Sequence, residues 1–69
     1  MGKNLKLKSA RAANDMTQGE LAHKVSASRQ TINAIEKGDY NPSINLCISI
    51  AKALNMTLND LFWEDESNE

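Results

Sequence analysis

The chain is expected to fold as a compact all-α domain of five short helices, and three observations predict it. Apolar residues recur three and four positions apart through most of the 69 residues, the spacing that lines one face of a helix. A start signal appears twice in the same form, Met16-Thr17 with Glu20-Leu21 and Met56-Thr57 with Asp60-Leu61. Turn-forming residues separate the apolar stretches: Asn14-Asp15, Ser26-Ala27, Gly38 to Pro42, and Asn55.

Residues 4–14 read as the first helix, with Leu7, Ala10 and Asn14 on one stripe, Leu5 near the start, and Asn14-Asp15 as the stop. The second helix spans 17–25. Thr17 is its N-cap, Glu20 completes a capping box, and Met16 and Leu21 are placed to form a hydrophobic staple. Such a cap contributes about 1 kcal/mol, which matters in a helix of eight or nine residues. Leu21, Ala22 and Val25 face inward. Gly19 costs helix propensity, so it either admits a neighbouring helix closely or is simply tolerated.

Ser26-Ala27 makes the turn, and Ser28 caps a third helix over 28–37. Projected at 100° per residue, Ile32, Ile35 and Ser28 point inward, while Gln30, Asn33, Ala34 and Lys37 point outward with Arg29 at their edge. Glu36 falls near the buried side. A buried carboxylate needs a partner, and Arg11 of the first helix is the candidate. Gly38 suits a helix C-cap, and Pro42-Ser43 open a fourth helix over 43–54. That helix is apolar nearly all round and should be central to the core. A fifth, over 57–62, repeats the capping pattern of the second. Residues 1–63 form the domain; 64–69 are an acidic tail, expected to be disordered.

Composition narrows the function. With 41% hydrophobic and 25% charged residues, the chain is globular, and no apolar run is long enough to span a membrane. No signal peptide is legible, and Cys47 is the only cysteine, so a reducing cytoplasm fits and no internal disulfide can form. Cys47 reads as a small core residue and the lone His23 as solvated, without metal-ligand spacing. One His, one Cys and no phosphate loop make an enzyme a poor reading, and no cofactor, metal or small-molecule ligand is implied. The net charge of −1 hides a division: residues 1–38 carry seven basic against three acidic side chains, and residues 39–69 carry one against six. The basic half surrounds the two short helices and their turn. That arrangement is a helix-turn-helix, suited to placing a helix in the major groove of double-stranded DNA.

The residues also carry a resemblance. The run Met-Thr-Gln-Gly-Glu-Leu-Ala at 16–22 is followed by Ser-Arg-Gln-Thr-Ile-Asn-Ala-Ile-Glu-Lys-Gly-Asp-Tyr-Asn-Pro-Ser at 28–43. Together they resemble the XRE, or lambda-repressor-like, helix-turn-helix family, and within it the small stand-alone bacterial repressors such as the cytolysin-operon type. The resemblance covers about residues 4–63. It implies that Arg29, Gln30 and Asn33 face bases, flanked by Thr31 and Ala34, and that Gln18 holds a phosphate and braces the recognition helix. It implies phosphate contacts at Tyr40 and Asn41, joined by Ser28, Lys37 and Lys8, and a buried ion pair of Arg11 with Glu36. Ser26 stands where the family prefers a turn glycine, a position that calls for positive φ, and Ala27 where a larger Val is usual.

Arg matches guanine O6 and N7, and Gln or Asn matches adenine N6 and N7, so this outer face has the chemistry of direct readout. One copy offers little surface and charge for tight binding, so a homodimer on a palindromic operator is expected. Phe62, Trp63, Leu58 and Ile44 are the interface candidates, although Trp63 can equally be core. The expected role is a transcriptional regulator acting as a repressor. The alternative is an antitoxin-like protein-interaction module that also binds its own operator.

Overall fold

The computed structural model describes residues 4–62, and every regular element among them is a helix. They are α1 (Leu5–Ala13), α2 (Gln18–Lys24), α3 (Arg29–Lys37), α4 (Ile44–Leu54) and α5 (Leu58–Phe62). Trp63 and the acidic tail 64–69 lie outside the described residues. The helices begin one residue later than their sequence signals because the capping residue itself is not helical. Thr17, Ser28 and Ser43 all hold extended backbone, with ψ of 166°, 156° and 161°.

The caps are made by the side chains themselves. Thr17 Oγ1 accepts the Glu20 N–H at 3.0 Å, and Glu20 Oε1 accepts the Thr17 N–H at 2.8 Å. Thr57 and Asp60 repeat this reciprocal pair ahead of α5, at 3.1 and 3.2 Å. The two hydrogen bonds from Thr57, first from its N–H and then from its hydroxyl, hold the Asp60 carboxyl below its ordinary range. Asn4, Ser28 and Ser43 cap α1, α3 and α4 in the same sense, each accepting the N–H three residues on.

The first four helices also share one way of stopping. After each, a residue in the left-handed region turns the chain: Asp15 (φ 59°), Ser26 (φ 60°), Gly38 (φ 84°) and Asn55 (φ 57°). In every case the next residue's N–H reaches back five positions to a helix carbonyl. Met16 bonds Arg11, Ala27 bonds Ala22, Asp39 bonds Ala34 and Met56 bonds Ala51, all at 2.9–3.0 Å. The turning residue itself bonds three positions back, completing a Schellman motif. Only Gly38 occupies the left-handed region without a Cβ penalty. Asp and Asn tolerate it through local hydrogen bonding, whereas Ser26 is the least suited of the four.

The core is built from α1 (Leu7, Ala10), α2 (Leu21, Ala22), α3 (Ile32, Ile35), α4 (Ile50, Ala51, Leu54) and α5 (Leu61). Met16 and Val25 pack at its margin. The α2–α3 pair makes the most extensive helix–helix contact, α1 lies against α3 and α5, and α4 lies against α2 and α5.

Three expectations of facing are corrected. Asn14 is exposed and ends α1, its amide donating to the Ala10 carbonyl at 2.8 Å, so the stripe of α1 consists of Leu7 and Ala10 alone. Ser28 is exposed, because a helical projection does not apply to a cap with extended backbone. In α4, Cys47, Ile50, Ala51 and Leu54 are buried, but Ile44 and Ile48 are 58% and 37% exposed. The two packed neighbours of α4 cover one side of it, so an apolar second face stays in solvent. Burial also raises the Cys47 thiol above its ordinary value, which keeps it protonated and unreactive at neutral pH.

Replacing Ser26 with Gly removes a Cβ from a left-handed position and is expected to stabilise the fold by about 1 kcal/mol. Thermal unfolding should show a midpoint several degrees higher, whereas Gly38→Ala should lower it by a similar amount.

Candidate nucleic-acid interface

The outer surface of α3 is set by what its inner surface buries. Ile32 is fully buried and Ile35 is 3% exposed, so the helix is pinned on that side. Arg29, Gln30 and Lys37 are then exposed, while Thr31, Asn33 and Ala34 are half-buried, Asn33 on the side held by Gln18 of α2. Lys8, Tyr40 and Asn41 are exposed as well, Tyr40 by 46%.

A polar cluster joins α3 to the two helices before it. Glu36 is 7% exposed, and its carboxylate is met from two directions. Arg11 donates to Oε2 through Nε at 2.7 Å and to Oε1 through Nη2 at 3.2 Å, a forked pair of the strong kind. Gln18 Nε2, from the first turn of α2, donates to Oε1 at 3.0 Å and also to Asn33 Oδ1 at 3.1 Å. Arg11 has one more bond, from Nη1 to the Met16 carbonyl at 2.9 Å, which ties α1 to the turn before α2. The Glu36 backbone carbonyl accepts the Asn4 N–H at 2.9 Å, so both ends of α1 are held near the last turn of α3. No buried side-chain nitrogen or oxygen among the described residues lacks a partner.

Arg29 sits beside this cluster. A Cβ built on Gly19 would lie 3.9 Å from Arg29 Cδ and 3.9 Å from Thr17 Oγ1, ordinary van der Waals distances. Gly19 is therefore tolerated rather than required by a close approach, and the stem of Arg29 crosses the start of α2. An open groove runs here between Arg11, Asp15, Met16, Gln18 and Arg29.

Of the residues named for contact between copies, Leu58 and Phe62 are half-buried and pack against this chain's own core. Ile44 is exposed, next to the exposed Ile48 one turn on. Trp63 lies outside the described residues. The exposed Ile48 escaped sequence reasoning, because an i, i+4 apolar pair looks the same whether or not a neighbour covers it. Among the described residues, no three His, Cys, Asp or Glu side chains are grouped to hold a metal, and no helix is long and apolar enough to cross a membrane.

Removing one member of a buried ion pair strands the other charge, at a cost of about 3–5 kcal/mol. Arg11→Met is expected to lower stability on that scale, read as a lower urea midpoint. Arg11→Met combined with Glu36→Leu should recover part of the loss, since no charge then remains buried.

Comparison with known proteins fits this geometry. Residues 7–61 match the helix-turn-helix family HTH_3. The HTH-type transcriptional regulator YgzD of Bacillus subtilis is 46% identical over 63 residues, covering 91% of this chain and 96% of that protein. An HTH-type transcriptional regulator of the archaeon Methanocaldococcus jannaschii is 50% identical over 62 residues, covering 88% and 94%. Among solved structures, the restriction-modification controller protein C.AhdI from Aeromonas hydrophila superposes with a TM-score of 0.78 at 28% identity, covering 83% of this chain and 86% of that one. With its five helices, its α2–turn–α3 unit and relatives of its own length, the chain belongs to the XRE-type helix-turn-helix family of DNA-binding transcriptional regulators.

Proposed function

We propose that this regulator is a repressor that binds a palindromic operator as a homodimer, in the cytoplasm, with α3 in the major groove. The observation that carries the reading is the outer face of α3, where Arg29, Gln30 and Asn33 lie together on a helix that α1 and α2 hold by hydrogen bonds. Arg29 and Gln30 supply the donor and acceptor geometry that base edges require, with Thr31 and Ala34 beside them. Residues 1–63 act as the DNA-binding domain.

Lys8, Lys37, Ser28, Tyr40 and Asn41 take the phosphates, a contribution that is independent of sequence and sensitive to salt. Of the two duties that the resemblance implied for Gln18, phosphate contact and bracing of α3, the hydrogen bonds of the side chain support the second. Both hydrogens of its amide nitrogen are used inside the protein, so the side chain serves as a brace for α3. The basic half of the chain meets the DNA, and the acidic half is kept away from it by like-charge repulsion. Bound to an operator that overlaps a promoter, such a protein acts by occlusion.

Dimerisation follows from the small footprint of one copy and from the apolar side chains it leaves in solvent. Ile44 and Ile48 are one turn apart on α4, and Ile48 extends the interface set of Phe62, Trp63, Leu58 and Ile44.

Two measurements test the proposal. Arg29→Ala is expected to weaken operator binding and relax the preference at one base pair, costing about 1–3 kcal/mol of discrimination. Lys37→Ala should weaken binding to operator and random duplex alike, and equal behaviour of the two variants would remove α3 from the readout. In analytical ultracentrifugation, Ile44→Lys and Trp63→Ala should each shift the protein towards monomer. A dimer unchanged by both would move the interface elsewhere.

A further inference from the structure

A carboxylate accepts hydrogen bonds and does not donate them. The Gln18 atom 3.0 Å from Glu36 Oε1 is therefore an amide N–H. The same nitrogen lies 3.1 Å from the Asn33 side chain, and having no lone pair to offer, it must donate there too. The Asn33 atom that faces it is thus Oδ1. Glu36 accepts from both Arg11 and Gln18, and the Gln18 NH2, committed by that carboxylate, donates its second hydrogen to the Asn33 carbonyl oxygen. At the end of this chain Asn33 Nδ2 is left with no partner among the described residues, on a half-buried residue at the margin of the exposed face of α3.

An asparagine that turns freely offers a base one donor and one acceptor side by side, the pattern that adenine N6 and N7 match. An asparagine whose oxygen is held inward meets the base end-on with its NH2 group. Guanine shows two acceptors there, O6 and N7, whereas thymine shows one beside its methyl group, adenine places the N6 donor beside N7, and cytosine shows only a donor. We propose that Glu36, acting through Gln18, fixes Asn33 as an outward hydrogen-bond donor and so sets a guanine preference at the base pair it meets. The proposal rests on the reading of α3 as the DNA-reading helix. Glu36 and Gln18 are positioning residues in it, and neither touches the base.

The test is selection of bound sites from random duplex DNA with the full chain, for the wild type, Asn33→Ala and Gln18→Met. Asn33→Ala identifies the base pair, as the one whose preference it abolishes. The wild type should favour guanine over adenine there by about tenfold. Gln18→Met keeps the length of the side chain and leaves both Arg11 bonds to Glu36 in place, but it releases Asn33. The guanine preference should then fall to within about twofold at that base pair while the others keep theirs. A purely structural role for Gln18 would instead weaken binding to all sequences equally, and that result overturns the proposal.

Adenine at the Asn33 position, or an unchanged preference in Gln18→Met, also overturns it while leaving the DNA reading intact. Absence of any enriched sequence for the wild type removes the DNA reading and the proposal together. Should Gln18→Met fail to fold, NMR of the wild type without DNA decides. The Gln18 side-chain NH2 should exchange slowly with solvent and the Asn33 NH2 rapidly, and the reverse order overturns the proposal.

Discussion

The buried carboxylate of Glu36 is the constraint on which the arrangement of the first three helices depends. Taking a charge out of water costs several kcal/mol, and the cost is offset only when its oxygens are fully matched. Here the matching groups come from two other helices, Arg11 on α1 and Gln18 on α2, and Glu36 belongs to α3. None of the three can slide or rotate without uncovering a charge. Apolar packing through Leu7, Leu21 and Ile32 tolerates small shifts at modest cost, because dispersion contacts are many and weakly directional. The forked contact of Arg11 is not so forgiving. The angle at which α3 presents its outer face is therefore set by hydrogen bonds, and the core supplies the bulk of the stability beneath them.

What was legible in the sequence is what local chemistry decides. Thr17 with Glu20 and Thr57 with Asp60 mark helix starts because the groups that satisfy each other lie three residues apart. Ile32 and Ile35 declare the inner side of α3 by periodicity alone. Facing was harder where a residue stands outside regular backbone, as Ser28 does, or where the outcome depends on which neighbours exist. Nothing in Ile44 or Ile48 distinguishes a covered apolar face from an open one. The double duty of the Gln18 amide is of the same kind, since it requires α2 and both turns of α3 bearing Asn33 and Glu36 to be placed at once. Glu36 was an exception, because a carboxylate on an apolar face is conspicuous before its surroundings are known.

Charge and apolar exposure are divided between the two halves of the chain. The basic first half carries α2 and α3, with Arg29, Gln30 and Lys37 turned to solvent, and the acidic second half carries the open apolar side of α4. The two halves of the chain thus expose side chains of different chemistry. This separation lets a near-neutral chain present a cationic patch, so its net charge of −1 is a poor guide to what it attracts.

The helix ends have a kinetic consequence. Four helices are stopped by left-handed residues whose hydrogen bonds reach no further than five positions along the chain, and their starts are capped from three positions away. The length and register of each helix are thus specified by groups close in sequence, although helices this short are held only once they pack. Little loop-closure entropy then stands between the unfolded chain and the pairing of α2 with α3, or of α4 with α5, which are neighbours in sequence. Helical domains rich in local contacts fold in microseconds to milliseconds. A domain of this design therefore folds within the time a ribosome takes to add one residue.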